Sequence, residues 1–113
     1  DGMKIAYVNA VHTSSFPDGS YGGQPGGWVI ESQEKTIYFA GDTDLMSDME
    51  LLGKRWNIDL ALLPIGGRFT MSWQEVPLAC EMLACTTVIG MHYDTFDPIR
   101  VDHETAMKYC EEN

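Results

Sequence analysis

The chain holds 113 residues, 44% of them hydrophobic and 21% charged, with a formal net charge of −10. That length suits one domain or part of one, and no apolar run approaches the ~18 residues of a membrane span, so no membrane role is expected. The acidic balance argues against nucleic acid, whose backbone calls for basic patches, and leaves a small-molecule substrate as the expected partner class.

The chain opens on Asp1-Gly2, a hairpin-turn dipeptide with no strand before it, which predicts that the sequence begins inside a larger domain. Met3 to Ala10 alternates as a strand rather than as a signal-peptide pattern. A loop rich in Gly, Pro and Ser follows from Phe16 to Gly26, of a length that often covers a site. Trp28–Ser32 and Thr36–Ala40 read as a hairpin joined by Gln33-Glu34-Lys35. The spacing of Leu45, Met49, Leu52 and Trp56 predicts a helix. The apolar run Asp59–Ile65 predicts a strand covered on both faces. Ser72 and Glu75 have capping-box spacing for a helix through Leu83, with Pro77 making its start irregular. Thr86–Ile89 reads as a buried strand ending in Gly90-Met91-His92-Tyr93, and Asp102 as the N-cap of a helix through Cys110. Strands alternating with helices in this order predict an α/β layered fold.

Cys80, Cys85 and Cys110 are odd in number and contain no CxxC, so they read as small core residues in a reducing, cytoplasmic compartment. Their spacing does not fit a zinc cluster. His103, between Asp102 and Glu104 in a first helical turn, reads as a solvated histidine.

Three strands end near a residue of metal-ligand type: His12, Asp42 and His92. In α/β sheets sites gather at strand ends. Imidazole nitrogen and carboxylate oxygen suit zinc, iron or manganese. Asp42 is the oddest of the three, because a carboxylate at the end of a buried strand costs free energy unless something pairs with it. Spacing alone also allows the plain alternatives of structural histidines and a simple Gly-Asp-Thr turn.

The stretches NAVHTSS, GGQPGGWVIE, TIYFAGDTDLMSDM, DLALLPIGGRFTM and VIGMHYDTFDPI resemble the metallo-β-lactamase superfamily. They are most similar to its small metal-dependent hydrolases related to bacterial L-ascorbate-6-phosphate lactonase. The resemblance implies two divalent metal ions, zinc first, with manganese and iron as alternatives. It implies that His12 ligates the first, His92 the second, and Asp42 bridges both. It further implies that a hydroxide formed at the metals attacks an ester, lactone, amide or phosphodiester bond. Phe69, Thr70 and Met71 lie in a segment that approaches the pocket in such relatives, and Arg68 beside them could meet an anionic substrate. Expected acceptors for the second nitrogen of each histidine are Ser14, Ser15, Thr43 and Asp94.

The superfamily's HxHxDH motif is absent, since the chain has three histidines and none are two apart. The resemblance therefore covers the C-terminal half of a four-layer αββα sandwich, with residues 1–113 as a single region: a mixed sheet with helices on one face. Three consequences are expected. Metal binding by this chain alone is weak or absent, because zinc sites ordinarily take at least three protein ligands. An uncovered apolar sheet face drives homo-oligomerisation or pairing with a partner half-domain. The alternative to an enzyme is a non-catalytic, self-associating or complementing half-domain.

Overall fold

Alternation of apolar side chains decides the central sheet of this computed structural model, which describes residues 2–113. Strand β1 spans Lys4–Asn9, β2 Gly26–Glu31, β3 Thr36–Phe39, β4 Leu60–Pro64 and β5 Val88–Met91. They lie side by side in chain order. β1, β2 and β3 pair antiparallel, and β3, β4 and β5 pair parallel, giving a mixed sheet. Each parallel step needs a crossover, supplied by helix α1 (Asp48–Arg55) and by helix α2 (Val76–Leu83). Helix α3 (His103–Glu112) closes the chain.

Register places Val29 beside Tyr38 and Tyr38 beside Ala61 on one face. These residues and Leu63 are buried with Met49 and Leu52 of α1 and Val76, Ala79 and Leu83 of α2. Burial of each large apolar side chain here is worth roughly 1.5–3 kcal/mol. α3 lies on the same side, where Ala106, Met107 and Cys110 border a cavity of about 300 Å³ with Val88 and Gly90. The opposite face carries Ile5, Tyr7, Trp28, Phe39 and Ile89, all exposed, and no helix among the described residues covers it. The expectation that β4 is covered on both faces is thereby corrected. Ala61 and Leu63 are buried, while Leu60 and Leu62, pointing to the open face, are only half-buried.

Local signals place the ends of the elements. Ser72 and Glu75 form the expected capping box, with the Ser72 N–H donating to the Glu75 carboxylate at 2.7 Å. It opens a 3₁₀ turn at Trp73–Glu75 before α2, because Pro77 at the helix start cannot donate a backbone hydrogen bond. Asp102 caps α3 by accepting the Thr105 N–H at 3.1 Å. α1 begins three residues later than Leu45, yet Met46 ahead of it is still buried. The expected turn at Asp1-Gly2 involves Asp1, which lies outside the described residues. No helix among those residues is long and apolar enough to cross a membrane.

Candidate metal centre

Two antiparallel steps turn β1 parallel to β3, β4 and β5, so the carboxyl ends of these four strands share one edge of the sheet. His12 follows β1, Asp42 follows β3, the segment 65–72 follows β4, and His92 follows β5. Topology thus gathers three residues distant in sequence along one rim.

Gly41 bends the chain out of β3 with φ +68°, and a Cβ there would stand 2.8 Å from the Gly26 carbonyl oxygen. Only glycine accepts both the left-handed backbone and the close approach. The turn leaves the Asp42 side chain 50% exposed, so its carboxylate avoids the desolvation cost expected at a buried strand end. His92 is itself left-handed, at φ +56°. Its loop is held by the Ile65 N–H donating to the Met91 carbonyl at 3.0 Å, and by Gly66, where any Cβ would collide with the His92 carbonyl oxygen.

The two turns bring His92 Nε2 to 3.6 Å from Asp42 Oδ2. That is longer than a hydrogen bond. Metal–nitrogen and metal–oxygen bonds of about 2.0–2.2 Å set two ligand atoms of a tetrahedral zinc site about 3.3–3.6 Å apart, so the pair fits adjacent corners of such a site. His12 points one nitrogen away from this role: Nδ1 lies 2.8 Å from the Thr13 carbonyl oxygen. A carbonyl only accepts, so this contact calls for a proton on Nδ1, and in the neutral ring Nε2 is then the nitrogen with the free lone pair. Among the described residues, no group of three or more His, Cys, Asp or Glu side chains converges where a metal ion would sit. The structure therefore joins Asp42 to His92 and leaves His12 on the same rim without closing a three-donor set.

None of the expected acceptors is hydrogen-bonded to His12 or His92 among the described residues. The Thr43 hydroxyl accepts the Val11 N–H and donates to the Asp44 carbonyl, each at 2.9 Å. Asp94 receives the Val101 N–H at 2.8 Å and pairs with His103 Nε2. His12 uses the Thr13 carbonyl rather than Ser14 or Ser15, and His92 Nδ1 is buried without a hydrogen-bond partner among the described residues. His103 differs from its reading as a solvated side chain: it is exposed, but it is tied to Asp94 and lies edge-on to Tyr93 with ring centroids 5.3 Å apart. The Val101 N–H and His103 hold the Asp94 carboxyl below its usual range.

In the segment after β4, Thr70 and Met71 are buried, whereas Arg68 and Phe69 face outward. The Arg68 guanidinium lies over the Phe69 ring at 5.5 Å, and Phe69 stacks on Phe96 with centroids 6.1 Å apart. The three thiols are free, and burial pushes those of Cys80 and Cys110 up.

A family model described as the beta-lactamase superfamily domain matches residues 1–93. The chain belongs to that superfamily. Among curated superfamily relatives, a UPF0173 metal-dependent hydrolase of Christiangramia forsetii is 56% identical over 93% of this chain and 46% of its own length. Its counterpart in Thermus thermophilus is 49% identical over 99% of this chain and 50% of its own. The chain spans about half the length of the relatives it matches. Among solved structures, Igni18, a metallo hydrolase of Ignicoccus hospitalis, is 38% identical with a TM-score of 0.85, over 98% of this chain and 46% of that one. An isothiocyanate hydrolase from Delia radicum gut bacteria, 22% identical with a TM-score of 0.80 over 99% of this chain and 48% of that one, shares the superfamily fold.

Proposed function

We propose that this chain supplies one side of the centre of a metal-dependent hydrolase, with Asp42, His92 and His12 as metal ligands. The approach of His92 Nε2 to Asp42 Oδ2 at 3.6 Å carries the reading, because the atoms are too far apart to bond each other and spaced to share a cation. Relatives about twice as long, which match nearly all of this chain, are named metal-dependent hydrolases, which supports a divalent ion. Nitrogen and oxygen donors favour zinc, with manganese and iron as alternatives. A pair of bound divalent ions supplies acidified water and polarises the scissile group. Asp42 offers two oxygens, enough to face two ions, while His12 and His92 offer one nitrogen each.

Arg68 lies on the loop between the Asp42 and His92 turns and makes no ion pair among the described residues. Its charge, backed by two aromatic rings, supports a small anionic substrate. The bond attacked is, in this reading, an ester, lactone, amide or phosphodiester, the classes that the sequence resemblance implies. The remaining metal donors come, in this reading, from an HxHxDH-bearing half that these 113 residues do not include. Metal content by mass spectrometry tests this. The chain alone should purify with well under one metal, and a superfamily half bearing HxHxDH, supplied in trans, should raise the content towards two. A stoichiometric pair in the chain alone would overturn the half-site; no gain on complementation would overturn the hydrolase.

One observation favours a second reading, a non-catalytic half-domain that self-associates or complements another chain: the apolar sheet face that no described element covers.

A further inference from the structure

The Thr43 side chain is fully buried although it carries a hydroxyl, and that hydroxyl makes two backbone hydrogen bonds, with Met46 Sδ beside it at 3.9 Å. It accepts the N–H of Val11, the residue before His12, and donates to the Asp44 carbonyl. Asp44 returns the connection, its N–H donating to the Val11 carbonyl at 3.0 Å. The Val11 peptide is therefore gripped at both its N–H and its C=O by the two residues that follow Asp42. The Thr43 backbone carbonyl accepts the Met71 N–H at 2.9 Å, which fastens the loop after β4 to the same point. β1 and β3 are not neighbours in the sheet, since β2 lies between them. Hydrogen bonding within the ladder therefore cannot set the position of His12 relative to Asp42.

We propose that Thr43 is a positioning residue, whose hydroxyl clasps the turn after β1 to the turn after β3 and so sets where His12 stands relative to the Asp42–His92 pair. Its importance to a metal rests on the reading of those residues as ligands, but the clasp itself does not. Valine at this position keeps the buried shape and removes both hydroxyl bonds, leaving the Val11 N–H without its acceptor. Serine keeps the hydroxyl and loses only a methyl group. A role in packing alone predicts the reverse order of damage.

The test compares Thr43→Val and Thr43→Ser with the native chain, by amide hydrogen exchange and by histidine ring ¹⁵N resonances in metal-free protein. The clasp predicts Val11 exchange at least about tenfold faster and a displaced His12 ring in Thr43→Val, with both near native in Thr43→Ser. His103, on the far side of the segment after β5, should be unmoved in both. Native Val11 exchange and an unmoved His12 in Thr43→Val would overturn the proposal. If Thr43→Val does not fold, Thr43→Ser decides it, since loss of Val11 protection with the hydroxyl retained would leave packing as the role. A zinc titration followed at the same rings separates the two claims. If zinc moves neither His12 nor His92 in the native chain, the ligand reading fails in this chain, and the metal-free comparison still judges the clasp. Where zinc does bind, Thr43→Val should weaken it by about 10–100-fold, as loss of a ligand-orienting contact does.

Discussion

His92 Nε2 and Asp42 Oδ2 stand 3.6 Å apart although fifty positions separate them in sequence and one strand, β4, lies between theirs in the sheet. Both side chains remain partly open to solvent, so a cation can reach them. Zinc added to the chain should shift the His92 ring resonances. Asp42→Ala should weaken that response by at least the ~10–100-fold that losing an outer contact costs. A native response in Asp42→Ala would show that the two do not share the ion.

Gly66 meets the His92 carbonyl where a side chain has no room, and Ile99 closes the other side. Gly66→Ala should lose roughly 1–3 kcal/mol in chemical denaturation, the usual cost of overpacking, and should move the His92 ring. A neutral effect on both readouts would mean that the β5 turn is not held by this contact.

Tyr38 is fully buried, and its hydroxyl has no hydrogen-bond partner among the described residues. Burial pushes the phenol well up, with the nearby Asp48 charge adding to the effect. Tyr38→Phe removes a desolvated polar group and keeps the ring, so stability should be unchanged or up to about 1 kcal/mol higher. A clear loss in urea denaturation would reveal a partner for that hydroxyl.

The start of α3 should be sensitive to acid but not to neutral pH. The Val101 N–H and His103 hold the Asp94 carboxyl low, and Thr105 does the same to Asp102 through its N–H and hydroxyl. A folded pKa below the unfolded value gives stability that is present above the ordinary aspartate pKa of about 3.9 and is lost as pH falls through the lower folded values. Protection of the Val101 and Thr105 amides should therefore be alike at pH 7 and pH 5 and decline only below about pH 4. Titration midpoints above that range, followed by NMR, would contradict the assignment.

The open sheet face should make the chain associate. Ile89 is 52% exposed and points to that face beside Leu62. The native chain should scatter light as a dimer or larger species, and Ile89→Lys should shift it towards monomer with its circular dichroism unchanged. A clean native monomer would count against both self-association and the second reading of function.

Much of this was legible because it is local. The alternation in Lys4–Asn9, the capping box at Ser72–Glu75 and the cap at Asp102 each depend on residues within a few positions of one another. The α/β order, and the placing of His12, Asp42 and His92 at strand ends, follow from that same local reading. The uncovered face of β4 was misjudged because Asp59–Ile65 is apolar on both sides, and a continuous apolar run does not say whether both of its covers belong to the same chain.

What the sequence determined by itself was the kinds of donor present and the edge of the sheet they would reach, since side-chain chemistry and strand periodicity are properties of short segments. The tertiary structure alone decided that Asp42 meets His92 while His12 stands apart, that Thr43 binds two turns together, and that Asp94 pairs with His103 rather than with His12 or His92. Those outcomes depend on how far two left-handed turns and a side-chain-free Gly66 let separate loops approach, and contacts of a few ångströms between distant segments have no period or spacing to betray them.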